Sequence, residues 1–155
     1  MFKIETWENN PILRKVADKV TDKNFKEAVK LWKKMIKYIK DPENGWVWLA
    51  APQIGQSISL VIVSLLKDWD DENFKTIMMI NSKILEYWEQ TDTEVEWCLS
   101  LPWAKAKVER PTSIKVTYYN DKNNKKTLIL EWLQARIIQH EIDHINWKLF
   151  IDYSK

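Results

Sequence analysis

Apolar residues recur with helical spacing in two stretches of this chain and with strand spacing in several others. Between residues 24 and 40, Phe25, Ala28, Val29, Trp32, Met35, Ile36 and Ile39 mark one stripe. Positions three and four apart share a helix face, so the stretch predicts an amphipathic helix, ended by Pro42 and Gly45. A second helix is predicted from about residue 132 to 146. The β-branched run at 58–64 predicts a buried strand. Strands follow at 76–85 and 87–95, the second with the polar alternation of a half-exposed sheet. Strands at 113–120 and 126–131 flank the polar turn at Asp121, Lys122, Asn123 and Asn124, which predicts a hairpin. Residues 1–22 predict an extended segment anchored by Ile12 and Leu13, and 49–55 and 98–102 predict loops. The expected fold class is α+β: mixed or antiparallel sheets around a central C-terminal helix, plus the N-terminal amphipathic helix, in one domain over residues 1–155.

Composition changes this picture in four places. The 24 basic and 22 acidic residues leave a net charge of +2, which gives no strong electrostatic footprint for nucleic acid. Lys30, Lys33, Lys34, Lys37 and Lys40 read as the solvated face of the first helix. No apolar run is long enough to cross a bilayer and no leader pattern opens the chain, so a cytoplasmic protein is expected. The lone cysteine, Cys98, cannot form an internal disulfide and is either a packed thiol or a functional thiolate. The fourth place is abnormal: two glycines stand where about eleven are expected, and the ten tryptophans far exceed ordinary usage.

The strongest chemistry lies on the second predicted helix, in His140, Glu141, Ile142, Asp143 and His144. Histidines four apart stand one turn apart on one face and can hold a metal ion between them. Glu141 then sits beside that ion, placed to take a proton from water. Two histidines at this spacing also arise by chance on solvated faces. The chain has no other histidine and no other cysteine, so His140, His144 and Cys98 are its whole supply of imidazole and thiolate donors.

Three separated segments now line up: Leu49-Ala50-Ala51-Pro52-Gln53-Ile54-Gly55, Glu96-Trp97-Cys98-Leu99-Ser100-Leu101-Pro102, and Gln139-His140-Glu141-Ile142-Asp143-His144. In order and spacing they resemble the three signature motifs of peptide deformylases, and the resemblance runs from Asn10 to Asp152. It implies removal of the formyl group from N-terminal formylmethionine of newly made proteins, with release of formate. It implies Cys98, His140 and His144 as ligands of one divalent metal, ferrous iron by family habit, with Zn2+ or Ni2+ as alternatives that the same donors suit. Glu141 becomes the general base and then the acid, while the Gln53 side-chain amide and the Leu99 backbone N–H donate to the oxygen that gains charge. Leu133 and Ile137 share the face of His140 and, with Val47 and Trp48, are candidates for a methionine pocket; the plainer reading makes them core. Arg110 is placed to brace the site by pairing with Glu96 or Asp143. N-formylmethionyl nascent peptides are the expected partners, with the ribosome a further candidate, no membrane, and a monomer as the expected state.

The departures from the family are of one kind. Where the family carries glycine, this chain reads Trp46, Trp48, Trp97, Trp103, Trp132 and Trp147, and Trp7 and Trp69 fit the same exchange. Two readings stay open. The tryptophans are UGA codons meant as glycine, or they are genuine and the chain is an inactive or re-specialised peptide-binding relative. A general zinc metallopeptidase is a further alternative that leaves Cys98 and Gln53 unexplained.

Overall fold

The computed structural model describes residues 2–154. Helix α1 spans Phe25–Ile39 and α2 Trp132–Ile145. Strands β1 (Trp48–Ala50), β2 (Leu60–Leu65), β3 (Lys75–Tyr87), β6 (Ser113–Tyr119) and β7 (Lys125–Glu131) form one antiparallel sheet in the order β1-β2-β3-β6-β7. Strands β4 (Thr91–Glu96) and β5 (Ala106–Pro111) pair separately as an antiparallel ribbon. Among the described residues no helix is long and apolar enough to cross a membrane.

Strand β2 explains the layering. Its sequence, Leu60-Val61-Ile62-Val63-Ser64-Leu65, is apolar at successive positions because both faces are covered. Val61 and Val63 pack with Ala135, Ile138, Ile142 and Ile145 of α2. Leu60 and Ile62 point the other way, into a cluster with Ala28, Met35 and Ile39 of α1. Met35 is fully buried there, and Met35→Ala would cost roughly 2–5 kcal/mol through lost contact and the cavity it leaves. The helix carrying the histidines is therefore clamped between the five-stranded sheet and the β4–β5 ribbon, with contacts to both.

Several elements differ from the pattern reading. Residues 49–55 are not a loop: β1 leads into a 3-10 turn over Ala51–Ile54, ended by Gly55 at φ +78°. A Cβ on Gly55 would stand 3.3 Å from Glu5 Oε1, so this glycine serves both the turn and a close approach. Strand β3 runs through Tyr87, and the next strand begins only at Thr91. Strand β5 was not expected, because one of its inward positions is Arg110. The N-terminal segment is a turn over residues 11–14 rather than extended, with Leu13 fully buried and Ile12 only half-buried.

The backbone carries strain at three tryptophans. Trp7, Trp132 and Trp147 have φ of +83°, +50° and +64°. A bulky residue in the left-handed region costs about 1–3 kcal/mol at each place.

Candidate active site

The α2 face toward the ribbon carries Leu133, Arg136, Ile137, His140 and His144, with Leu133, Ile137, His140 and His144 three or four residues from one to the next and Arg136 beside Ile137. Cys98 enters from the turn that follows β4, closed by the Leu101 N–H donating to Cys98 O at 3.0 Å. One donor atom from each of Cys98, His140 and His144 lies within 4.8 Å of the other two, and all three residues are buried. The Cys98 sulfur is 3.2 Å from His144 Nε2. A buried thiolate and two imidazoles are the donor set of a catalytic zinc or iron site with an open position.

Cys98 and His140 are held by hydrogen bonds, whereas the buried Nδ1 of His144 has no partner among the described residues. His140 Nδ1 donates to Glu96 Oε2 at 3.0 Å, which leaves Nε2 as its ligand atom. Arg110 grips both oxygens of Glu96, at 2.6 and 2.9 Å, and also donates to Asp143 Oδ2 at 2.9 Å. Tyr153 donates to the other Asp143 oxygen at 2.9 Å. Both partners foreseen for Arg110 are thus engaged at once. Arg136 went unforeseen: it donates to Glu96 Oε1 at 2.8 Å and to Asp92 Oδ1 at 2.5 Å. Its signal was available, a charged residue four positions before His140 on an otherwise apolar helix face.

Gln53 reaches the cluster because its own oxygen is committed. Gln53 Oε1 accepts from the Ala50 N–H at 2.9 Å, so the amide nitrogen faces Cys98 Sγ at 3.2 Å and Ser100 Oγ at 3.4 Å. Ser100, also missed, donates its backbone N–H to the same sulfur at 3.4 Å. Leu99 is half-buried between them, its side chain against the α1 core.

Electrostatics separates two carboxylates on this wall. Burial pushes Glu96 up, but Arg110 and His140 outweigh it and hold the carboxyl well below the usual carboxylate range. Glu141 is fully buried, and neither of its oxygens has a hydrogen-bond partner. Burial pushes its carboxyl up to about 7; His140 pulls the other way, while Asp143 and Glu96 add to the rise. An orphaned carboxylate of this kind, next to three soft donors, fits a site that holds a divalent cation.

Beside His140 a cavity of about 40 Å³ is lined by Leu133, Ile137, Val95, Trp48, Trp69 and Trp97, with Glu96 and Arg136 at its polar end. Leu133, Ile137 and Trp48 stand where a pocket was foreseen. Val47 does not line it; it packs behind, in the sheet–α2 core, its carbonyl accepting from the Ser64 N–H at 2.8 Å.

Comparison with known proteins agrees with this geometry. The sequence model of the polypeptide deformylase family matches residues 1–155. A peptide deformylase of Prochlorococcus marinus is 39% identical over 147 residues, 92% of this chain and 68% of that protein. The crystal structure of a probable peptide deformylase from Synechococcus phage S-SSM7 superposes with a TM-score of 0.85 at 33% identity, covering 99% of each chain. A Met-Ala-Ser-bound class I type b peptide deformylase from Acinetobacter baumannii superposes with a TM-score of 0.87 at 27% identity, over 99% of this chain and 98% of that one. With its motifs, its fold and its whole length matched, this chain belongs to the polypeptide deformylase family.

Proposed function

We propose that Cys98, His140 and His144 bind the divalent metal of this deformylase, and that Glu141 moves the protons of formyl-group hydrolysis. The observation that carries this reading is the pair of unpartnered oxygens on a fully buried Glu141, one residue from His140. Such a group is costly to leave unsatisfied in a merely structural role.

When bound, the ion supplies Lewis acidity to the formyl group and to water at its open position. Glu141 accepts a proton from the attacking water at a carboxylate oxygen and delivers it to the departing amine nitrogen. Gln53 has two N–H donors. One meets the Cys98 sulfur; the other, at a long 3.4 Å from Ser100 Oγ, is offered to the formyl oxygen together with the Leu99 backbone N–H. Glu96, fixed by Arg110 and Arg136, keeps the His140 ring oriented. Leu133, Ile137 and Val95 form the apolar wall for the methionine side chain.

The substrate is an N-formylmethionyl peptide, in line with the Met-Ala-Ser bound to the Acinetobacter baumannii relative. Ferrous iron is the proposed native metal, and the protein is proposed to act as a cytoplasmic monomer on chains emerging from the ribosome. Formate release from formyl-Met-Ala-Ser under reducing conditions tests the activity. No release by metal-loaded protein, or cleavage of internal peptide bonds instead, overturns it. Aeration tests the metal: an iron-loaded enzyme loses activity as its centre and thiolate are oxidised, whereas a zinc enzyme keeps it.

A further inference from the structure

The tryptophans of this chain are placed as glycines are placed. Among the described residues, positive φ occurs at the glycines Gly45 and Gly55, at the asparagines Asn81 and Asn123, and at Trp7, Trp132 and Trp147. Glycine and asparagine are the ordinary occupants of left-handed backbone, and a large aromatic residue is the least suited to it. The angles are set by the surrounding chain. The Trp7 N–H donates to Ser100 O at 3.2 Å, and Trp7 O accepts from the Asn10 N–H at 3.2 Å. The Trp132 N–H donates to Thr112 O at 2.7 Å as the chain turns from β7 into α2. Trp147 follows the C-cap Asn146, and the next N–H, of Lys148, returns to Asp143 O at 2.9 Å. That is the position past a helix end where glycine is the usual residue.

Burial points the same way. Tryptophan is highly buried on average, yet none of the ten is buried here and seven are exposed, Trp7 by 66% and Trp132 by 55%. Nine lie in a turn, in a connection or at the first position of an element, and Trp32 alone sits inside one. Glycine and tryptophan together come to the ordinary number of glycines for this length.

We infer that the native chain carries glycine at positions 7, 132 and 147, and at 48, 69 and 97 along the cleft, these residues being encoded by UGA codons that the source reads as glycine. The consequence for the cleft is direct. Trp69 stands between Trp48 and Trp97, tilted against the first and stacked on the second at 5.8 Å from each ring, and the three indoles roof the cavity beside His140. Its roughly 40 Å³ holds about three waters. With glycine at these places the roof is gone, and the wall of Val95, Leu133 and Ile137 lies open to a side chain. The inference rests on backbone angle and exposure at 7, 132 and 147, on exposure in a turn or connection at 69 and 97, and at 48 on its place at the start of β1, so it stands or falls apart from the assignment of the metal ligands.

The coding DNA, together with peptide mass spectrometry of the protein from its own cells, tests it. TGA at the six positions with glycine in the matching peptides is the expected result; TGG codons, or tryptophan in those peptides, overturns the inference. Recombinant variants give a second measurement. Trp7→Gly, Trp132→Gly and Trp147→Gly each raise Tm by roughly 2–8 °C through released strain, while Trp32→Gly, inside α1, lowers it. An unchanged or lower Tm in all three reversions removes the strain argument and the inference with it.

Discussion

At the floor of the cleft Glu96 takes bonds from Arg110, Arg136 and His140, whereas at the rim Trp69 is exposed and meets the rings of Trp48 and Trp97. The floor is polar and buried, and among the described residues its unpartnered atoms are the two Glu141 oxygens and His144 Nδ1. The rim is built from indole rings, two of them exposed, and the cavity's charged lining residues, Glu96 and Arg136, are engaged with one another. A partnered floor is what fixes ligand geometry to within fractions of an ångström, and its orphaned carboxylate is where the chemistry is expected. A rim of large rings against solvent has no such return in stability, since rings that stay exposed in the folded state gain little from burial.

The largest effect should come from the orphaned carboxylate. Glu141→Gln keeps size and hydrogen bonding but removes the proton acceptor, so formate release should fall by about 10²–10⁴-fold while metal content stays near one per chain. Near wild-type turnover would leave Glu141 a structural residue. Next in size is Cys98→Ser. A hydroxyl stays un-ionised at neutral pH and is a poorer ligand than thiolate, so metal affinity should drop by more than about 100-fold, measured by competition with a chelator. Equal metal retention after dialysis would show that Cys98 contributes nothing to the site.

Glu96→Gln probes the floor itself. It leaves the buried guanidiniums of Arg110 and Arg136 without the carboxylate they share, at a cost of about 3–5 kcal/mol, and loosens His140, lowering metal affinity by roughly 10–100-fold. Denaturant melts of metal-free protein separate the two effects. A stability loss under about 1 kcal/mol would mean that the network is a surface-like ion pair in energetic terms.

How much of this could be read from the sequence follows the same division. Both helices were legible, because apolar stripes at three- and four-residue spacing depend only on helix geometry and a core to face. The cluster of Cys98, His140 and His144, with Glu141 buried beside it, was legible through its motifs. Strand β5 was not, because Arg110 occupies an inward position and turns an alternating strand into a polar string. Arg110 can stand there only because Glu96 and Asp143, distant in sequence, neutralise it. The break between β3 and β4 was misplaced because Trp88-Glu89-Gln90 carries no turn residue. Had position 88 read glycine, the turn would have announced itself. The 3-10 turn that aims Gln53 was invisible for a different reason: it depends on the Ala50 N–H holding the amide oxygen, a contact no residue pattern encodes.

The smallest predicted effect is the one that bears most directly on the rim. Trp48 and Trp97 stand at the cavity mouth, half-buried and exposed respectively, and neither is held by a strained angle. The double variant Trp48→Gly/Trp97→Gly should therefore change Tm by no more than a few degrees. It should lower KM for formyl-Met-Ala-Ser by up to about 10-fold, the scale expected when a pocket gains the room for one side chain. The kcat should stay within about two-fold, because the rim touches the body of the substrate and not the reacting atoms. The direction of KM decides between the two descriptions of the rim. A fall means that the rings obstruct the methionine wall formed by Leu133 and Ile137. A rise means that they are part of that wall, that tryptophan belongs there, and that the floor and the rim were built for the same substrate.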